Sequence, residues 1–268
     1  MKKLPHITLK NVQEVYGGPE GELWELIMGE QIHVGGFKSS MQLAQNAGLK
    51  AGWHGLDCCS ALGAGCRFLV KNFKVTMVGQ DATPRMLKWA KERAQKEGLA
   101  KKIEFREGDL SKSIKAKNAE FDFVWGEDTW CYLVDKDKLI EEAARVLKPG
   151  GTIAFTDWIE GPKGLSDAEA ERINTFMKFP FMESQKGYEE LLKKKGFKVV
   201  ESADLTPEFA NYVDFYIKML TDQLTYDALR IIGDNLELFK AMGGEMAYMA
   251  EKSHEGKMGR GRFIARKA

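Results

Sequence analysis

The sequence has no long apolar run, few cysteines and no excess of charge of one sign. No stretch of about 18 apolar residues is present, and Met1–Pro5 is not followed by an apolar core. The sequence therefore predicts neither a transmembrane helix nor a signal peptide. Its four cysteines form no Cys-x-x-Cys pair, which fits a reducing cytoplasm and disfavours a metal site. We expect a cytoplasmic protein that binds no metal.

The charge balance indicates that the partners are not nucleic acids, and the lack of a long apolar run predicts no membrane partner either. The 268 residues include 40 Lys and Arg against 39 Asp and Glu, for a net charge of +1, whereas nucleic-acid binding requires a basic surface. A content of 44% hydrophobic and 29% charged residues is typical of globular proteins. The length suits one large α/β domain with a lid or two small domains.

Residues 53–157 alternate short apolar strands with amphipathic helices, which predicts a parallel sheet with right-handed crossovers. Residues 1–50 show helical periodicity with a break at Gly17-Gly-Pro. Late in the chain, one long helical stretch, Pro207–Lys252, separates the strand Phe197–Leu205 from the final strand Arg260–Lys267. This stretch is too long for a hairpin turn, and we expect it to form a lid with the N-terminal segment.

The segment Gly55–Leu69 carries the strongest local signal. A short apolar strand reaches Asp57, a turn of small residues runs from Ser60 to Gly65, and an amphipathic helix follows. Backbone N–H groups at such a helix start can bind a carboxylate or phosphate, and small side chains let the ligand approach. A steric need for glycine at a strand–helix junction would give a similar turn.

Acidic residues end the next strands as well. Asp81 lies 24 positions after Asp57, a spacing at which an acid can accept both hydroxyls of a ribose. The alternative is a helix cap, but Thr83 fits that position and leaves Asp81 free. Asp109 and Glu127 follow two further strands. Because parallel strands end at one edge of a sheet, we expect a ligand site there.

Four segments resemble the successive motifs of class I S-adenosylmethionine-dependent methyltransferases: Asp57–Leu69, Val78–Leu87, Glu107–Leu110 and Arg145–Gly151. The Leu147-Lys-Pro-Gly-Gly segment, followed by the strand Thr152–Asp157, is similar to their fifth-strand signature. The resemblance implies an α/β fold with a Rossmann-like, seven-stranded, mostly parallel sheet, helices on both faces and a helical lid. It also implies S-adenosylmethionine as cofactor and S-adenosylhomocysteine as product.

The flanking segments narrow the expected substrate class. Trp24–Gly36 resembles the N-terminal segment of sarcosine/dimethylglycine and tocopherol-type methyltransferases, and Phe121–Tyr132 and Gly256–Lys267 resemble the sarcosine/dimethylglycine N-methyltransferase group. The resemblance implies N-methylation of a small amine, such as a glycine derivative, by direct in-line displacement. The alternatives are a C-methyltransferase on a quinol, tocopherol-like or prenyl substrate, and a non-catalytic cofactor-binding protein.

The same resemblance implies the domain organisation. Residues 1–50 are expected to form an N-terminal helical lid segment. Residues 51–268 are expected to form the methyltransferase domain, with helical insertions at about 160–186 and 207–252. A small-molecule methyl acceptor is the expected partner, and the protein is expected to be a monomer or homodimer.

The resemblance also assigns nine cofactor-binding residues by their positions in the motifs. They are Ser60, Ala61 and Gly63 for the methionine end, Asp81 for the ribose hydroxyls, Asp109 and Leu110 for adenine, Glu127 for the methionine ammonium, and Ala82 and Met86 beside the adenosine. The first turn departs from the family pattern, because Cys59 and Ala61 stand where glycine is usual.

The acceptor side is expected where the first turn, the fourth strand and the lid converge. The candidates are His33, Asp128 and Tyr132 as catalytic residues and Trp130, Tyr188 and Tyr212 as substrate-binding residues. Aromatic rings can hold an alkylated ammonium by cation–π attraction, worth about 0.5–2 kcal/mol. Simple packing is the alternative for Trp130 and Tyr132, and a structural hydrogen bond is the alternative for His33. Tyr132 also stands where relatives often carry His.

Overall fold

The structure, a computed structural model, describes residues 3–268 and is built around one sheet. The strands, numbered β1 to β8 along the chain, are His54–Cys58, Thr76–Asp81, Ile103–Glu107, Phe121–Glu127, Leu147–Glu160, Glu183–Ser184, Phe197–Asp204 and Met258–Lys267. Seven of them lie in the order β3-β2-β1-β4-β5-β8-β7, and the two-residue β6 pairs with β5 outside this path. β8 is antiparallel to both β5 and β7, whereas the other pairings are parallel. The predicted seven-stranded, mostly parallel sheet is confirmed, with β6 as a short addition.

Helices connect these strands and also precede the first one. Those in the described residues, numbered α1 to α11, are Leu9–Gly17, Pro19–Met28, Gly36–Ala47, Ala64–Phe73, Pro84–Lys96, Lys136–Val146, Asp167–Met177, Gln185–Lys194, Thr206–Asp222, Thr225–Ile231 and Leu236–His254. A short 3-10 turn, Trp130–Tyr132, follows β4. The predicted break near Gly17 separates α1 from α2, because Pro19 opens a new helix at its first position.

The stretch Pro207–Lys252 is helical, as predicted, and it is divided into three helices. These are α9, α10 and α11, which two short connections separate. Gly233 and Asp234 both adopt left-handed backbone angles, with φ of 68° and 57°. Two consecutive residues in this region cannot continue a right-handed helix, so α10 ends before them. Helical periodicity in the sequence did not reveal this interruption.

Helices cover both faces of the sheet, as predicted. Neighbouring strand residues point to opposite faces, so that Ile153 packs with Val124 in one core cluster and Ala154 with Trp125 in another. The first cluster includes residues of α6 and α8, and the second includes residues of α3, α4 and α5. Both faces are therefore buried, as in other sheets with parallel crossover connections.

A third core cluster joins the two ends of the chain. It combines Leu23 and Trp24 of α2 with Phe209 of α9 and Met249 of α11, beside Trp158 of β5. In the part of the chain that the structure describes, no helix is long and apolar enough to cross a membrane. Tyr16, Ile32 and Tyr132 pack against this cluster.

Candidate active site

A cavity of about 180 Å³ lies at the carboxyl ends of β1, β2, β3 and β4. Its lining combines the first turn, the residues after the other strands and residues 7–33 of the N-terminal segment. Eleven residues predicted from the sequence line it: His33, Ser60, Ala61, Asp81, Ala82, Met86, Asp109, Leu110, Glu127, Asp128 and Tyr132. The fold therefore brings together side chains that are about a hundred positions apart in sequence.

The first turn forms despite its missing glycines. Cys59 and Ala61 both adopt left-handed backbone angles, with φ of 58° and 42°, a conformation that costs a residue with a side chain about 1–2 kcal/mol. Gly63, also left-handed, starts α4 and does not line the cavity. A Cβ atom on Gly63 would lie 2.5 Å from the Phe105 ring, so only glycine fits there.

Ser60 in this turn lines the cavity and has a buried hydroxyl group. Within residues 3–268, its Oγ atom has no hydrogen-bond partner. Leaving a buried polar atom unpaired costs about 1–3 kcal/mol, and such atoms are unusual in folded proteins. Ser60 therefore has an unused hydrogen-bonding group next to the cavity.

Asp81 at the end of β2 holds the first turn in place. Its Oδ2 atom accepts a hydrogen bond from the N–H of Ala61 at 2.9 Å, and its Oδ1 atom accepts one from the N–H of Thr83 at 2.8 Å. Burial raises the pKa of this carboxyl above its ordinary value, while the two backbone bonds oppose the rise. Each oxygen keeps a further lone pair for a ligand hydroxyl.

Asp57 at the end of β1 is a second buried acid in the cavity, and the sequence analysis did not assign it to the site. Burial raises the pKa of its carboxyl to about 7. The Cys66 thiol donates to Oδ2 at a distance of 3.4 Å. The sequence did contain a signal that Asp57 belongs to the site. This acid lies at the end of the strand before the first turn, and acids at such strand ends tend to face the ligand.

His33 and Glu127 form a buried polar cluster. The His33 Nε2 atom lies 3.3 Å from Glu127 Oε1 and 3.1 Å from Ser40 Oγ. Glu127 also accepts hydrogen bonds from Ser40 Oγ at 3.0 Å and from Trp125 Nε1 at 3.1 Å. Burial raises the pKa of the Glu127 carboxyl, and the neighbouring His33 opposes this effect. The cluster links the N-terminal segment to the end of β4.

Asp128 is occupied by structural contacts. Its Oδ1 atom accepts from Arg260 Nε at 2.7 Å, and its Oδ2 atom accepts from the N–H of Val34 at 2.9 Å. Arg260 also donates to Ser39 and Thr156. Because its ion pair is buried and fully hydrogen-bonded, Asp128 anchors residues 34–39 to the sheet. Sequence analysis gave no indication of the role of Arg260.

Tyr132 meets a tyrosine that the sequence analysis did not assign. The hydroxyl oxygens of Tyr16 and Tyr132 lie 2.5 Å apart, and both residues line the cavity. Their rings pack edge to face with centroids 5.8 Å apart. Burial raises the pKa of both phenols, so each remains protonated and able to donate a hydrogen bond. This pair connects α1 to the turn after β4.

The structure places the three remaining aromatic candidates away from the cavity lining. Trp130 stacks on Phe155 with centroids 3.8 Å apart, and it belongs to the core beneath the turn. Tyr188 is wholly buried and donates its hydroxyl proton to Asp157. Tyr212 stacks on Tyr216 in α9. Their large apolar rings are used for packing, which was the alternative interpretation of Trp130 in the sequence.

Asp109, which follows β3, and Ala82, which follows β2, also line the cavity. Asp109 Oδ1 accepts from both the N–H and the hydroxyl of Ser111, at 2.9 and 2.6 Å. The carbonyl of Ala82 accepts from Gln13 Nε2 at 2.6 Å, which holds α1 across this end of the cavity. In the described part of the chain, no cluster of three or more His, Cys, Asp or Glu side chains could hold a metal ion.

Comparison with known proteins identifies the class to which this fold belongs. Residues 56–155 match a family model described as a methyltransferase domain. The structure superposes on Haemonchus contortus phosphoethanolamine N-methyltransferase 2, solved with phosphomonomethylethanolamine and S-adenosylhomocysteine, with a TM-score of 0.85. That match has 23% identity and covers 98% of this chain and 61% of the other. The chain carries a methyltransferase domain and has the class I S-adenosylmethionine-dependent methyltransferase fold, as predicted.

Two curated relatives extend the comparison. Phosphoethanolamine N-methyltransferase 3 of Arabidopsis thaliana is 28% identical over 91% of this chain and 48% of its own length. Sarcosine/dimethylglycine N-methyltransferase of Aphanothece halophytica is 24% identical over 82% of this chain and 84% of its own. The chain spans about half the length or less of three phosphoethanolamine N-methyltransferases from plants that it matches.

Proposed function

We propose that the protein is an S-adenosylmethionine-dependent methyltransferase that N-methylates a small-molecule amine. The observation that carries this proposal is the buried, unpaired hydroxyl of Ser60, which lies in one cavity with Asp57 and Asp81. These three groups sit at the carboxyl ends of β1 and β2, within the residues that match the methyltransferase family. The names of the relatives support N-methylation of an amine.

The donors and acceptors of the cavity fit S-adenosylmethionine. Asp81 would bind the ribose hydroxyls through the lone pairs that its backbone contacts leave free. Asp109 and Leu110 would contact adenine, and Ala82 and Met86 would flank the adenosine. The first turn and Glu127 would face the methionine end, where the carboxylate of Glu127 suits an ammonium group. Ser60 would then gain the hydrogen-bond partner that it lacks.

The chemistry requires positioning more than acid–base catalysis. S-adenosylmethionine, when bound, supplies an electrophilic methyl group that an amine nitrogen can displace in line. The residues of the site must hold the amine in line and exclude water, for which proximity effects are large. The Tyr16–Tyr132 pair suits this task. Only one of its two hydroxyl protons is used in the bond between the tyrosines, so the other proton and the two rings can orient an amine.

His33 and Asp128 act through position in this proposal. His33 is hydrogen-bonded to Ser40 and close to Glu127, so it fixes the carboxylate that faces the methionine end. Asp128 spends its carboxylate on Arg260 and on the N–H of Val34, and it therefore holds the N-terminal segment rather than the acceptor. Of the three predicted catalytic residues, Tyr132 would be the one in contact with the acceptor.

We propose further that residues 1–50 form a lid on the methyltransferase domain, residues 51–268. Gln13 bonds the carbonyl of Ala82 across the cavity, and Arg93 of α5 binds Glu25 of α2 through bonds of 2.6 and 3.1 Å. The helical insertions at about 160–186 and 207–252 support this lid through the third core cluster. Tyr212 would belong to that support, since its ring packs on Tyr216, which binds Gly35.

Two measurements test the proposed function. Titration calorimetry with S-adenosylhomocysteine should show one binding site. Ser60→Ala should weaken this binding, whereas the control Ser113→Ala, at an exposed serine that does not line the cavity, should leave it unchanged. A product-mass survey should then find a 14-dalton gain on an amine, beginning with glycine and ethanolamine derivatives. Quinols and prenyl diphosphates belong in the same survey. Methylation of carbon in those compounds alone would contradict N-methylation, and cofactor binding without any turnover would indicate a non-catalytic protein.

A further inference from the structure

A buried polar network lies directly beneath the turn Trp130–Tyr132, outside the cavity. Asp157 of β5 is fully buried, and its Oδ1 atom accepts a hydrogen bond from the N–H of Cys131 at 3.0 Å. Its Oδ2 atom accepts from the Tyr188 hydroxyl at 2.5 Å. Neither Asp157 nor Tyr188 lines the cavity. The network therefore binds the turn from the side opposite the reacting groups.

The next turn residue carries the cavity hydroxyl. One peptide unit separates the Cys131 N–H, which Asp157 holds, from Tyr132, whose hydroxyl lies 2.5 Å from that of Tyr16. Trp130 on the other side of Cys131 stacks on Phe155 and meets the edge of Tyr188. Movement of the Cys131 peptide would therefore shift the Tyr132 hydroxyl.

A buried lysine holds the far end of the same turn. Lys136 Nζ donates to the carbonyls of Leu133 and Phe181, at 2.9 and 3.0 Å, and lies 3.5 Å from the centroid of the Phe181 ring. Burial lowers the pKa of Lys136 to about 8, and the attraction of Asp157 opposes this effect. Burial also raises the pKa of Asp157 to about 6, against the opposing effects of Lys136 and Tyr188.

Burying polar groups in such a network costs free energy, and what the network provides in return is a fixed position for the groups bonded to it. Apolar residues of similar shape often replace a buried ionic pair without loss of stability. A fully satisfied buried network, however, specifies one arrangement of the groups bonded to it. Here both oxygens of Asp157 are bonded, and the bonded group on one side is the backbone that carries Tyr132.

We propose that Asp157 and Tyr188 are positioning residues that set the Tyr132 hydroxyl against Tyr16 by fixing the Cys131 peptide. This proposal rests on the proposed function, because it makes the network necessary for methyl transfer while neither residue contacts a substrate. A displacement of about 1 Å at a reacting group can cost two orders of magnitude in rate, so loss of one bond in the network should reduce turnover.

The test compares Tyr188→Phe with the control Tyr226→Phe, which removes a hydroxyl from a ring that is 87% exposed. Each variant carries 3-fluorotyrosine at position 132, and the fluorine spectrum reports the surroundings of this residue without any turnover. Tyr188→Phe should shift or split the fluorine resonance and lower kcat by roughly tenfold or more. The Kd of S-adenosylhomocysteine should stay within about twofold. Tyr226→Phe should change none of these values.

Asp157→Asn provides a second variant that keeps the shape of the side chain. Its amide keeps one acceptor oxygen, but an NH2 group, which only donates, replaces the other. One of the two bonds that Asp157 accepts is therefore lost or reversed, and the fluorine resonance should shift in this variant as well. An unchanged resonance in Tyr188→Phe, with a lower unfolding midpoint, would overturn the proposal and leave a purely structural role. If the resonance shifts in a protein that methylates nothing, the positioning role of Tyr188 stands and the proposed function fails.

Discussion

At the scale of single residues, Asp81 serves both the fold and the proposed cofactor site. The sequence analysis left Asp81 free of a capping role. In the structure its carboxylate accepts hydrogen bonds from the N–H groups of Ala61 and Thr83, so we expect its loss to affect stability as well as binding. One carboxylate thus joins β2 to the first turn.

Replacing Asp81 with Ala should weaken cofactor binding and lower the stability of the fold. Charge-assisted hydrogen bonds are worth about 1.5–3 kcal/mol each, so the Kd of S-adenosylhomocysteine should rise at least about tenfold by calorimetry. The unfolding midpoint should fall as well, because the buried N–H of Ala61 loses its acceptor. Asp222→Ala on the exposed end of α9 serves as the control. Unaltered affinity in Asp81→Ala would remove this residue from the cofactor site.

Asp57 should make stability depend on pH. Its folded-state pKa of about 7 lies above the ordinary value of 3.8 because of burial. The native state therefore keeps a proton that the unfolded chain releases, and the free energy of unfolding falls as pH rises from about 4 to 7. Asp57→Asn should remove this loss. Between pH 5 and pH 8, the free energy of unfolding should fall by about 1–3 kcal/mol more in the native protein than in the variant.

Urea unfolding at the two pH values measures this difference. Asp122→Asn is the matched control, because Lys148 and the N–H of His54 keep the pKa of Asp122 below its usual range. Since Asp122 is ionised in both states above pH 5, its replacement should cause no such change. An equal pH dependence for Asp57→Asn and the native protein would show that the Asp57 pKa is ordinary.

At the scale of elements, α1 and the turn after β4 meet through two phenols. The hydroxyls of Tyr16 and Tyr132 are the polar contact between them at the cavity. Tyr16→Phe removes that contact and leaves both rings. If the N-terminal segment acts as a lid over the acceptor, kcat should fall by roughly tenfold, while the affinity for S-adenosylhomocysteine changes little.

Steady-state kinetics and calorimetry separate these effects. Tyr248→Phe in α11 is the control, since Tyr248 does not line the cavity and its ring packs against Arg172. A loss of cofactor affinity in Tyr16→Phe that equals its loss of turnover would contradict the lid assignment. It would place Tyr16 at the cofactor instead.

At the scale of the whole molecule, cofactor binding should stabilise the parts that line the cavity. A ligand at 100 times its Kd stabilises the native state by about 2.7 kcal/mol. With S-adenosylhomocysteine, hydrogen exchange should slow in α1, in residues 30–33 and in residues 57–65, which line the cavity. The helix α8, which packs on one face of the sheet away from the cavity, should change only as far as global stability requires. Uniform protection along the chain would contradict a closing N-terminal segment.

The order of strands and helices and the residues of the first turn follow from local sequence. Alternating apolar runs, the Thr83-Pro84 helix start and the acids at the strand ends depend on near neighbours in the chain, so they predict the sheet and one edge of it as the ligand site. The break inside Pro207–Lys252 escaped prediction because two left-handed residues, Gly233 and Asp234, left no mark in the helical periodicity.

Pairings between distant residues were decided only by the tertiary structure. Tyr16 is 116 positions from Tyr132, and Arg260 is 132 positions from Asp128. No local pattern indicates such partners, because they arise from the way in which the N-terminal segment and β8 pack on the sheet. For the same reason the sequence could name Tyr188 as a conspicuous aromatic, while the fold placed it in the core against Asp157. The acids at the strand ends can be recognised from nearby sequence, whereas the contacts that hold the site residues in place depend on the packing of distant segments.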